Sequence, residues 1–183
     1  AILTVNSTGT LQVAGTISNA GILDAPLGTI EFNGGTQTIS GNVFKDRSVK
    51  NLIVSSAGSG LSLTNTAGDT LKISGTLSFG TATADLTTNG NLTLLSTINN
   101  TANVDVLQPG NTISGDVTVE RYIATGTVHP KSWQLLAIST SGGQTINQAW
   151  QEASTIPNSN PHPGYGIRIN NNGTGMGGFD ATT

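Results

Sequence analysis

Short runs of alternating apolar residues, cut by Gly and Asn, return along the first part of this chain at a near-constant interval. "GTLQVAG" (9–15), "GTIEFNGG" (28–35), "DTLKISG" (69–75), "GNLTLLS" (90–96) and "NTISG" (111–115) echo one another. One apolar anchor from each, with Leu52 of "KNLIVSS", gives the series Leu11, Ile30, Leu52, Leu71, Leu92 and Ile113. Its steps are nearly equal, each close to the length of one coil in a repeat protein. Within the echoes the apolar residues fall two apart, as in Leu11/Val13, Ile30/Phe32 and Leu71/Ile73. That period belongs to strands with one buried face, and no helical period runs through the region.

Two architectures accept short alternating strands with frequent turns. A β-sandwich does, but it has no reason to repeat its turns at a near-constant interval. A parallel β-helix does have one, because each coil must stack on the coil before it. Gly and Asn tolerate the left-handed backbone of tight corners, and Thr, Val and Ile suit pleated faces. The fold expected is therefore all-β: a parallel β-helix of five to six coils over residues 1–115, with a β-sandwich as the alternative. Its interior would be Leu, Ile and Val, widened by Phe32, Phe44 and Phe79. No cap for the open N-terminal end is visible. The chain opens inside a strand pattern without Met, so it reads as a piece of a longer parent.

Composition narrows the function classes. Of 183 residues only 9% are charged and 4% aromatic, and the net charge is −3, too weak a field to argue for nucleic acid or an anionic membrane. There is no Cys, hence no disulfide and no thiolate metal site. No stretch approaches the length of a membrane-spanning helix. His129 and His162 have no ligand-spaced partner, and the scattered Asp residues lack the tandem Gly/Asp repeats of calcium-binding coils. No catalytic set, metal site or cofactor is expected.

Three features could still carry binding. "FKDRSVKN" (44–51) holds the repeat region's one charge cluster, Lys45, Asp46, Arg47 and Lys50. It is a candidate contact for acidic sugars and, more simply, a solvated loop between coils. The pairs Thr36/Thr38 and Thr81/Thr83 could belong to an ice-ordering rank of hydroxyls, provided such pairs stack on consecutive coils. Trp133 and Tyr165 could form a sugar-stacking platform, although the core of a second domain explains them more simply.

That second domain announces itself after residue 115. Aromatics and charges return in "VERYIATGTVHPKSWQLLAIS" (119–139), and "TINQAWQEA" (145–153) has the capping-box arrangement of Thr145 with Gln148 ahead of an amphipathic turn. Residues 116–183 are expected to be a β-rich domain with one short helix, cut short at Thr183. The succession V-E-R-Y-I (119–123), W-Q-L-L (133–136), A-W-Q-E (149–152) and P-G-Y-G (163–166) resembles a segment of large Bacteroidota surface proteins exported by type IX secretion. Gln134 stands where that family commonly has Arg. The resemblance covers residues 119–180, and residues 1–115 share only its compositional style.

The resemblance implies a secreted cell-surface protein with adhesin, stalk or fibre roles and no catalytic residues to carry over. It also implies that "DTL" (69–71) matches the family's short O-glycosylation pattern, making Thr70 a candidate. The expected function is non-enzymatic, structural or adhesive. The alternatives are a carbohydrate-binding or carbohydrate-cleaving β-helix module and an ice-binding protein. Expected partners are a second copy stacked end to end, surface glycans and the rest of the parent chain, with no membrane insertion.

Overall fold

The structure, a computed structural model, describes residues 1–17, 21–56 and 60–122. Of the second domain expected over 116–183, residues 123–183, with its helix, Trp133 and Tyr165, lie outside the described residues. Those described belong to one compact unit. They form a parallel β-solenoid of about five turns.

Thirteen strands make its walls: β1 (Ile2–Thr4), β2 (Thr10–Val13), β3 (Ile22–Phe32), β4 (Gln37–Ile39), β5 (Phe44–Val54), β6 (Gly60–Leu63), β7 (Leu71–Ile73), β8 (Thr76–Phe79), β9 (Asp85–Thr87), β10 (Leu92–Leu94), β11 (Asn103–Val104), β12 (Thr112–Ser114) and β13 (Val117–Val119). Each turn has three sides. The first carries β1, the start of β3, the middle of β5, β7, β10 and β13. The second carries β2, the ends of β3 and β5, β8 and β11. The third is a separate four-stranded sheet, β4-β6-β9-β12. Because β3 and β5 run through the corner between the first two sides, those sides join as one nine-stranded sheet. Five turns are followed by β13, which opens a sixth and pairs with β10.

The alternation seen in the sequence becomes three inward columns. On the first side Ala25, Val49, Ile73, Leu94 and Val119 stack in register. On the second the column is Leu11, Ile30, Leu52, Leu77 and Val104, and on the third it is Gln37, Leu61, Leu86 and Ile113. Ile30, Leu52, Leu61, Ile73, Leu77 and Leu86 have no solvent exposure at all. Full burial of one such side chain stabilises by about 1.5–3 kcal/mol, so these columns are the main source of stability. Phe32 and Phe44 are buried in the core, and Phe79 packs partly buried against it.

The register corrects the spacing read from the echoes. Leu11, Ile30 and Leu52 do share a side, but the residue stacked on Leu52 is Leu77 and not Leu71. Leu71 lies on the first side beside Leu92, and Ile113 on the third beside Leu86. The anchor series therefore stepped from one side to the next. Strands on all three sides show the same apolar-x-apolar phrase, as β7, β2 and β6 do, so an echo identifies a strand and not its side. Coil length in fact grows along the stack. The second-side column passes from Leu11 to Ile30, Leu52, Leu77 and Val104, each step longer than the one before.

Corners between sides bury backbone groups that the ladder cannot reach, and side chains satisfy them. Buried Asn111 donates its amide to the carbonyls of Thr81 (2.6 Å) and Ala84 (3.0 Å) and accepts from the Gln108 N–H (3.0 Å). Buried Asn91 does the same for Thr64 and Thr66, at 2.6 and 3.1 Å. Gln37, in the third column where later coils have Leu or Ile, donates to the carbonyls of Val13 and Gly15 and accepts from the Gly34 N–H. The turn Asn89–Gly90 takes two consecutive left-handed residues (φ 50 and 75), the conformation for which Asn-Gly is the favoured pair.

Candidate functional site

The charge cluster of "FKDRSVKN" is an excursion from β5. Phe44 pairs with Leu23 and Val49 with Ala25, so five steps along β5 face two along β3, and the surplus bulges outward. Asp46 (φ 56) and Arg47 (φ 54) are both left-handed without being Gly, a strained arrangement that needs external support. The support comes from the neighbouring coils and from Asn42, just ahead of β5. Lys45 Nζ pairs with Asp24 Oδ2 at 3.0 Å, a hydrogen bond and charge attraction that raise the Lys45 pKa above its usual 10.5. Arg47 Nε donates to Asn42 Oδ1 at 2.9 Å and Nη1 to the Gly68 carbonyl at 2.6 Å.

Beneath this excursion sits Asp69, 4% exposed, which accepts from the Asn42 N–H (2.9 Å) and from the Thr64 hydroxyl. Burial alone would push its carboxyl upward, yet hydrogen bonds from Ser40, Thr64 and Asn42 and the Arg47 charge hold it below the usual carboxylate range. The 3₁₀ turn Gly41–Val43 and the corner before β7 therefore share one buried acceptor, and the excursion reaches the same corner through Arg47, which donates to the Gly68 carbonyl. Asp69 is also the Asp of "DTL". Its place in the motif thus has a structural cause, while Thr70 beside it is partly exposed.

Lys50 is set apart from the excursion by inward-facing Val49, which is wholly buried. Its stem crosses to the next coil, where a Cβ on Gly75 would sit 3.1 Å from Lys50 Cε. The topology adds a residue that sequence reasoning missed: Lys72, in register with Ser48 on the adjacent coil. A whole coil of sequence separates those two positions, and only the true coil length brings them together.

The Thr pairs divide. Thr38 lies on the third side and heads an outward column, Thr38, Ser62, Thr87 and Ser114, in register over four coils. Thr81 and Thr83 fall in the turn between β8 and β9 and stack in no such rank. Among the described residues no group of three or more His, Cys, Asp or Glu could hold a metal ion, and no helix is long and apolar enough to cross a membrane. An open depression of about 300 Å³ lies at the N-terminal end of the stack, lined by Ile2, Leu3, Leu11, Val13, Ile17 and Ile22 among others. It is the exposed end of the interior columns.

No family model, no curated protein and no solved structure matches this chain.

Proposed function

We propose that this chain is a non-enzymatic structural or adhesive segment of a large secreted cell-surface protein, with the solenoid as stalk or fibre component. The observation that supports this reading is the way the described residues spend their chemistry. The interior is filled by three columns that are apolar except at Gln37, and the buried polar residues Gln37, Asp69, Asn91 and Asn111 are committed to backbone groups at corners. What such a stack offers is length, stiffness and a repeated outer surface. The resemblance over residues 119–180 adds the type IX secretion setting and the surface location.

The test is to probe surface, matrix and medium fractions of the native host with an antibody to this segment. A large surface-attached species is the expected result, and a free species near 18.6 kDa contradicts it. The fibre version has its own check by electron microscopy at high concentration, where compact monomers alone would remove it.

A further inference from the structure

We infer that the outer surface of the third and fourth coils, around Arg47, Lys50 and Lys72, binds a linear acidic polysaccharide. This does not rest on the stalk reading.

The observation is charge segregation made by the coil register. Among the described residues every Lys and Arg except Arg121 falls between Lys45 and Lys72, on β5 and β7. Lys45, Arg47, Lys50 and Lys72 face Asp24, Asp46 and Asp69 there, a surplus of one positive charge. The other described residues carry Glu31, Asp85, Asp105, Asp116 and Glu120 against Arg121, a deficit of four. Four of the five cations among the described residues thus lie on one stretch of the wall of a chain that is negative overall.

Within the patch the cations differ. Lys45 is spent on Asp24, the one ion pair among the described residues. Arg47 is held by two neutral acceptors, which fix the guanidinium in place without cancelling its charge. Asp69 lies near it but is buried and occupied by Asn42 and Thr64. Lys50 and Lys72 have no carboxylate within ion-pair distance among the described residues. Lys72 faces outward by strand alternation, since Leu71 and Ile73 are both wholly buried. Neighbouring strands lie about 4.8 Å apart, so Lys72 is one strand from Ser48 and next to the excursion.

Charge complementarity selects an anion, and the surroundings select a sugar. The neighbours are hydroxyls and amides: Ser48 beside Lys72, exposed Thr118 two strands further on, and Asn51 linked to Thr29 and Thr76. These groups match sugar hydroxyls. Among the described residues the one aromatic on β5 and β7, Phe44, is buried in the core, so neither strand turns a base-stacking ring outward. A parallel sheet wall is extended, as is a linear polymer with regularly placed carboxylates.

The experiment is affinity electrophoresis of the 183-residue protein in gels containing polygalacturonate, with neutral dextran as reference. Retardation by polygalacturonate alone, relieved by salt, is expected. Lys50→Gln with Lys72→Gln should weaken binding about tenfold, the sum of two partly exposed charge contacts. Asp46→Asn, which removes the opposing charge and keeps a side chain that tolerates left-handed backbone, should strengthen binding about threefold. Circular dichroism checks that the variants keep the strand signature. An unretarded wild type, equal retardation of the double variant, or no gain from Asp46→Asn would overturn the inference. So would tighter binding of a single-stranded oligonucleotide.

Discussion

Asp69→Asn isolates the charge at the most connected corner of the stack. The replacement keeps shape and one acceptor oxygen. That oxygen must face the Asn42 N–H, which can only donate, at 2.9 Å in the native protein. The new amide then faces the Thr64 hydroxyl, which can turn to accept, so the loss is confined to the charge. Hydrogen bonds to a charged group contribute about 1.5–3 kcal/mol each against about 1 for neutral ones, so two of them weakened together cost about 2 kcal/mol. For a chain of this size that is a fall in Tm of about 4–8 °C, read by urea and thermal unfolding. A second signature is in pH. The folded pKa of Asp69 lies below its unfolded value near 3.8, so this stabilisation is fully present above that value. As pH falls through 3.8 toward the folded pKa, the unfolded chain takes up the proton first and the contribution disappears. Wild type and variant should therefore differ at pH 7 and converge as the pH drops well below 4. A variant within about 0.5 kcal/mol of wild type at pH 7, or a gap constant down to pH 3, would refute the reasoning.

Other perturbations separate column, corner and surface. Leu52→Ala, in the middle of the second column, should cost about 3 kcal/mol in urea unfolding, while Leu11→Ala at the half-buried end should cost about 1. Asn111→Ala leaves the Thr81 and Ala84 carbonyls and the Gln108 N–H without their shared partner, and about 2–4 kcal/mol should be lost in the same assay. Gly90→Val places a β-branched residue at φ 75 and should lower Tm by several degrees, whereas Gly35→Ala, at ordinary φ with open space around it, should not. Lys45→Met should leave Tm almost unchanged at pH 7. The small contribution of the pair in wild type belongs below pH 10.5 and fades as pH rises through the elevated Lys45 pKa.

Much of the fold could be read from residue order because alternation and corner residues are local signals. Leu71/Ile73 and Leu92/Leu94 declare strands within a few positions, and Gly and Asn mark where they stop. Register is different in kind. It depends on loop lengths, and the apolar phrase of Leu52 looks the same whether it stacks on Leu71 or Leu77. The charge cluster was visible as a run from Lys45 to Lys50, but its completion by Lys72 needed that register. Asp69 looked like a scattered carboxylate, or part of a short motif, because its partner Asn42 is 27 residues away. Asn91 and Asn111 read as turn formers, and nothing local distinguishes an exposed turn Asn from one that satisfies a corner.

The direction of the ladder hydrogen bonds governs how this chain would respond to load. In a solenoid they run along the stacking axis, so a pull on the two ends strains each inter-coil ladder directly, and coils can peel away one at a time. Five coils at about 4.8 Å stand about 24 Å tall. The same residues, Ile2 to Val119, drawn out at about 3.4 Å each reach about 400 Å. A short, stiff column thus stores about sixteen times its own height as paid-out line, released coil by coil as tension rises and rewound when it falls.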